Sequence, residues 1–169
     1  MRVQSRRIAA LGVGAVLISA AFAGCGGSDD SGSDALSKED YIAQSDAICA
    51  DFNEVADASR GDFVDAAQSG DFEAAAGFIE GTDDESAASI EERKALTPPE
   101  EDQATMDEMF ELIDQQEELV PDLTAAIRAN DQQAIQDVSD QGEGIDDQIN
   151  AIADDYGFVD CGSAGDSDS

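Results

Sequence analysis

The sequence predicts an all-α protein: an up-and-down helical bundle of about four main helices, stapled by one disulfide, after a signal peptide and a flexible linker. Three observations carry that prediction. Apolar residues between positions 41 and 156 recur at spacings of three and four instead of alternating. Proline occurs only three times, and Ala, Glu, Gln and Leu are plentiful, so little interrupts a helix. Two cysteines, Cys49 and Cys161, remain for each other once the third is assigned to lipid.

That third cysteine closes an N-terminal address. Residues 1–24 contain no acid, and Arg2, Arg6 and Arg7 form a positive n-region. An apolar run of 16 residues, Ile8 to Ala23, follows and is interrupted by Gly12, Gly14 and Ser19. It is shorter than the ~20 residues of a spanning helix and suits the h-region of a secretory signal. Phe22-Ala23-Gly24-Cys25 resembles a bacterial lipobox, in which the cysteine receives a diacylglycerol and becomes the mature N-terminus. Phe22 stands where such sites usually carry Leu, Val or Ile. The reading is therefore a lipoprotein signal peptide over 1–24 and lipidation at Cys25. A retained anchor, or plain cleavage near Ala23 with a free Cys25, are the competing readings. The Gly-Ser-Asp tract at once after Cys25 favours lipidation, because it makes residues 25–36 a flexible, self-repelling spacer. Ser5-Arg6-Arg7 hints at twin-arginine export, but a basic n-region for the general route accounts for it more simply.

The bundle domain is expected over 37–161. Ser37 with Glu39 and Asp40 behind it reads as an N-cap with acids in the first turn. Tyr41, Ser45, Ile48, Phe52 and Val55 then line one stripe of a first helix to about Ser59. Ser69-Gly70-Asp71 reads as a break. Thr82-Asp83-Asp84-Glu85 reads as a capping box opening a second helix toward Leu96, which Pro98 and Pro99 end. Met106, Ile113, Val120 and Ile127 recur by sevens in the next helix, with Phe110, Gln116 and Leu123 between them. This is a bundle seam with one polar interruption. Pro121 predicts a kink or a restart with proline in the first turn. After a turn at Asn130-Asp131, the last helix carries Ile135, Val138, Gly142, Ile145, Ile149, Ile152 and Tyr156, with Gly157 as its C′ residue. Gly142 falls on the seam, and close approach of a neighbouring helix is the structural reason expected for it.

Antiparallel order brings the end of the last helix to the start of the first. Cys49 lies about 12 Å along the first helix from that level. The extended tail Phe158-Val159-Asp160-Cys161 spans about 13 Å, so it is expected to fold back along the first helix and be stapled there. An exported, oxidising setting suits a Cys49–Cys161 disulfide, with two free buried thiols as the alternative. Residues 26–36 and 162–169, with almost nothing to bury, are expected to be disordered.

Removing residues 1–24 takes away three arginines and no acid. It leaves 40 acids against five bases, Lys38, Arg60, Arg93, Lys94 and Arg128, a net charge of −35. Phosphate binding requires Lys and Arg, so nucleic acid is excluded as a partner. Acids spread this evenly fit adaptation to salt, a basic partner or cation binding. With no histidine, the Ser-His-Asp triad, the Cys-His pair and His-containing metal sites are excluded together.

"SKEDYIAQSDAIC", "ALTPPEEDQATMDEM" and "DDYGFVDCG" resemble segments of a group of small actinobacterial lipoproteins with a helical extracytoplasmic domain and a Cys pair. The resemblance spans most of residues 37–162. It implies an exported lipoprotein with a helical domain and carries no activity. Asp83-Asp84, Asp146-Asp147 and Asp154-Asp155, and the heptad-spaced Asp140, Asp147 and Asp154, invite a metal hypothesis with Ca²⁺ or Mg²⁺. Successive sevens lie about 10 Å apart along one helix, too far for one ion to bridge, so no metal or cofactor is expected. Paired carboxylates without aromatic clefts argue against glycoside hydrolysis. The expectation is a non-catalytic interaction or binding role at the outer face of the cell membrane, held by the lipid on Cys25 and meeting an envelope protein. The alternative is an acidic divalent-cation-binding or sensing domain.

Overall fold

Three of the five long helices start at a side-chain cap, and three end at a residue in the left-handed region. The structure, a computed structural model, describes residues 35–166. The signal peptide, Cys25, most of the 25–36 linker and residues 167–169 lie outside the described residues. The long helices are α1 (Lys38–Ser69), α2 (Phe72–Lys94), α3 (Gln103–Glu117), α4 (Val120–Ala129) and α5 (Gln132–Tyr156); a short α6 spans Ser163–Asp166. There is no strand among the described residues, and none of their helices is long and apolar enough to cross a membrane.

Helix α1 starts as its sequence requires: Ser37 Oγ accepts from the Asp40 amide at 3.1 Å. It does not stop near Ser59 but runs 32 residues, about 48 Å, to Gly70 in the left-handed region at φ 80°. Its buried stripe follows the 3.6-residue period through Phe63 and Ala66. Val55 falls off that stripe and is 40 % exposed. Asp71 caps α2 by accepting from the Ala74 amide at 3.1 Å. The expected capping box at Thr82 is not one. Helix α2 is continuous there, and Thr82 Oγ donates to the Phe78 carbonyl one turn back at 3.0 Å. Asp71 had already supplied the start, so a second cap had nothing to terminate.

The third rod of the bundle is broken once. Glu118 and Leu119 form a turn, and α4 restarts with Pro121 in its first turn, where proline's missing N–H leaves no bond unmade. Asn130, the one described non-glycine residue with positive φ (50°), ends α4, and Asp131 caps α5 through the Ala134 amide. Helix α2 packs on α1 and α4, and α5 packs on α3 and α4. Tyr41 at the start of α1 meets Tyr156 at the end of α5, edge to face with centroids 6.2 Å apart. The bundle is therefore up-and-down, with four rods.

Two clusters fill its two ends. One gathers Tyr41, Ile90, Met106, Met109, Ile113, Ile149, Ala153, Tyr156 and Phe158. The other is built on Ala66, Ala75, Ala76 and Ile127, with Phe63, Phe72, Phe78 and Ile79 against it. The tail folds back as expected. Cys161 is bonded to Cys49 with Cα atoms 5.2 Å apart, and Asp46 gathers the backbone N–H groups of Val159, Asp160 and Cys161, each at 3.1 Å.

Two segments expected to be disordered are partly ordered. Leu36 packs against the first cluster and its amide donates to the Thr97 carbonyl at 2.9 Å. Beyond Cys161 the chain makes the turn α6, because Asp154 accepts from both the amide (3.0 Å) and the hydroxyl (2.7 Å) of Ser163. An acid, and not an apolar residue, fixes that turn, so hydropathy gave no sign of it.

Candidate functional site

The sequence left two gaps in its apolar seams, Gln116 on α3 and Gly142 on α5. The structure brings them to one place. Between the two clusters lies a groove of about 450 Å³ lined by residues of all five long helices, among them Gln116 and Gly142. A cavity of that size falls within the range of small-molecule sites. Its cause is local. The α3–α4 break turns the chain at Leu119, the polar Gln116 supplies no core volume, and Gly142 has no side chain to fill the space opposite. A Cβ at Gly142 would meet only Leu119 Cδ1, at 3.8 Å, so the expected tight helix approach is not what places glycine there.

The lining is mainly apolar. Phe52 and Phe63 come from α1, Phe78 and Ile79 from α2, Ile113 from α3, Leu119, Val120 and Leu123 from the break and α4, and Val138 from α5. The polar members gather as Ser59, Arg60, Thr82, Asp83, Ser86, Gln116, Glu117 and Ser139. Arg60 is turned to Asp57, 3.9 Å away, with its side chain 63 % exposed.

Two acids share the groove from facing helices. Burial raises the Glu117 carboxyl above its ordinary 4.5, and the charges of Asp83 and Asp114 raise it further; Lys94 offsets part of this. Lys94 is itself engaged, its Nζ 2.8 Å from Asp114 Oδ1. One oxygen of Glu117, Oε1, is shielded from solvent and accepts no hydrogen bond. Asp83 is likewise raised above 3.8, by burial and then by its neighbour Asp84.

The five bases of the described domain are otherwise committed. Arg128 ties α4 to α2 through Glu80 (2.7 and 2.9 Å) and Glu73 (3.2 Å). Lys38 Nζ stands 4.0 Å from the centroid of the Tyr156 ring. Arg93 is buried in the first cluster, 5.4 Å from the Phe110 ring centroid, with Nε unpartnered, and burial lowers its pKa.

Of the residues singled out in the sequence, Cys49 and Cys161 meet as a disulfide. The acid pairs do not assemble: among the described residues no group of three or more Asp, Glu, Cys or His could hold a metal ion. Asp154 holds α6, Asp146 accepts from Asn150 Nδ2 at 3.1 Å, and Asp140 and Asp147 are exposed. Glu117 was not among them. The signal for it was its position beside Gln116, at the one polar step in an otherwise apolar seam. No family model, curated protein or solved structure matches the chain.

Proposed function

We propose that the protein is a lipid-anchored extracytoplasmic binding module whose mid-bundle groove takes up a small, largely apolar molecule. The groove carries this reading: about 450 Å³ of mostly apolar space between two well-filled clusters. Emptying that much core volume works against stability, since apolar cavities cost the contacts their walls would make. A bundle with only structural duties would gain by filling it. The role is binding and not catalysis. The groove hydroxyls of Ser59, Thr82, Ser86 and Ser139 have no histidine to activate them, because the sequence contains none.

Anchoring is supported by Phe22-Ala23-Gly24-Cys25 and the polar tract that follows. Multiple acyl chains on Cys25 would hold the module at the outer face of the cell membrane, where its net charge of −35 gives an anionic surface no attraction.

The test is calorimetric titration of the full chain in lipid nanodiscs with 4-phenylbutanol, against empty nanodiscs. Saturable one-to-one binding is expected, and Gly142→Leu, which projects an isobutyl group into the groove, should abolish it while the helical circular dichroism stays unchanged. No binding to the unsubstituted protein overturns the reading. For the anchor, metabolic palmitate labelling should be lost in Cys25→Ser.

A further inference from the structure

The groove is not evenly apolar. Its α2 and α3 walls bring Asp83 and Glu117 to one end, whereas Arg60, the basic residue on its lip, is held by Asp57. Lys94, the cation whose charge reaches Glu117, already lies 2.8 Å from Asp114. Glu117 Oε1 is shielded from solvent and accepts no hydrogen bond, so the charge of this groove-lining carboxylate is poorly compensated within the chain. A poorly compensated carboxylate is costly, and a cation seated beside it in the groove lowers that cost. The remaining wall has no such demand. Phe52, Phe63 and Phe78 line it and suit an apolar body.

From this we infer that the occupant of the groove is an amphiphilic amine: an apolar body seated among the phenylalanines, with a single ammonium group at the Asp83–Glu117 end. The inference rests on the proposed binding role and adds the sign and position of the ligand's charge. An alkylammonium suits the site in three respects. It brings three donors to a wall that carries two carboxylates. Its one positive charge offsets part of the repulsion between those two acids. Its apolar body needs no hydrogen bond from a wall that offers few. An anionic head beside Asp83 and Glu117 would meet two carboxylates.

Three probes of one shape separate the possibilities: 4-phenylbutylamine, 4-phenylbutanol and 4-phenylbutyrate. Each is titrated into the full chain in lipid nanodiscs, with empty nanodiscs as the blank, at physiological salt. The amine should bind about tenfold more tightly than the alcohol, the ratio expected of one charge-assisted pair in a partly dry site, and the carboxylate most weakly. Glu117→Gln should bring the amine to within about twofold of the alcohol. Glu108→Gln, which removes the same charge from an exposed position on α3, should keep the full preference.

Binding of the alcohol and the amine with equal affinity overturns the inference and leaves the binding role standing. So does a preference that Glu108→Gln weakens as much as Glu117→Gln, since it would then belong to the field of the whole protein. Failure of all three probes overturns the binding role itself. Circular dichroism melting of each variant confirms that the comparison is between folded proteins.

Discussion

Removing the Cys49–Cys161 crosslink tests how the tail is held. The bond joins residues 112 positions apart, so it closes nearly the whole domain into one loop. In the chain-entropy treatment a loop of that length withdraws about 16 cal/mol/K from the unfolded chain, or about 4.8 kcal/mol at 25 °C. Native contacts should survive its loss. Phe158 stays buried against Tyr156, ring centroids 5.0 Å apart, and Asp46 keeps three backbone N–H partners on Val159, Asp160 and Cys161. Cys49→Ser with Cys161→Ser should therefore fold to the same helix content with a stability lower by roughly 4–5 kcal/mol and a midpoint lower by about 15 °C. A thermal melt measures the second, and urea unfolding followed by circular dichroism the first. The slope of that transition should also steepen, because an uncrosslinked unfolded chain exposes more surface. A loss below about 2 kcal/mol with an unchanged slope would refute the argument and transfer the stapling role to Asp46 and Phe158.

Further outcomes follow from single side chains. Gly142→Ala should stabilise the protein by roughly 0.5–1 kcal/mol, since it improves α5 and its Cβ finds only an ordinary 3.8 Å contact with Leu119; chemical unfolding measures this. Arg93→Met should be neutral or stabilising by about 1–2 kcal/mol, because a buried guanidinium lacking a carboxylate partner is exchanged for an apolar chain of similar reach; the same unfolding assay decides. Asp46→Ala should cost about 2–4 kcal/mol by freeing three N–H groups of the tail, with hydrogen exchange rising first at Val159–Cys161. Glu117 gives a pH signature. Its folded pKa lies above its ordinary value, so the folded state binds more protons than the unfolded state between the two, and stability falls as pH rises through that window. Glu117→Gln should therefore be more stable than the unsubstituted protein at pH 7, and the gap should close as pH falls toward 4.5.

The fold was largely legible because its signals are local. Ser37 and Asp71 through their side-chain oxygens, and Gly70, Pro121, Asn130 and Gly157 through their backbone preferences, each mark a helix end, and the structure uses each of them so. Two of the errors share one cause. Thr82 has the chemistry of a cap, and α6 lacks the apolar content of an ordered segment. What decided both was a partner: the Phe78 carbonyl one turn back for Thr82, and Asp154 on α5 for Ser163. The groove was half legible. Gln116 and Gly142 are visible as defects in two heptad patterns, but a pattern along one helix does not say which other helix faces it. That Asp83 stands in the same groove as Glu117 depends on the register of α2 against α3, which no periodicity encodes.

The placement of the groove follows from how the two ends of the bundle are stabilised. At the end near Cys161, the crosslink, three packed aromatic rings and the Asp46 carboxylate fix α1, α5 and the tail. At the other end Ala66, Ala75 and Ala76 are buried side chains of minimal volume, and Arg128 clasps α2 and α4 from outside through Glu80 and Glu73. Only the middle lacks either device, and the third rod is broken there. A chain with a large net negative charge repels itself, so its few bases matter where they sit. Arg128, Arg93, Lys94 and Lys38 are committed to Glu80, the Phe110 ring, Asp114 and the Tyr156 ring. That distribution pairs none of these four with Asp83 or Glu117, so the groove keeps an excess of negative charge that a cationic occupant would offset.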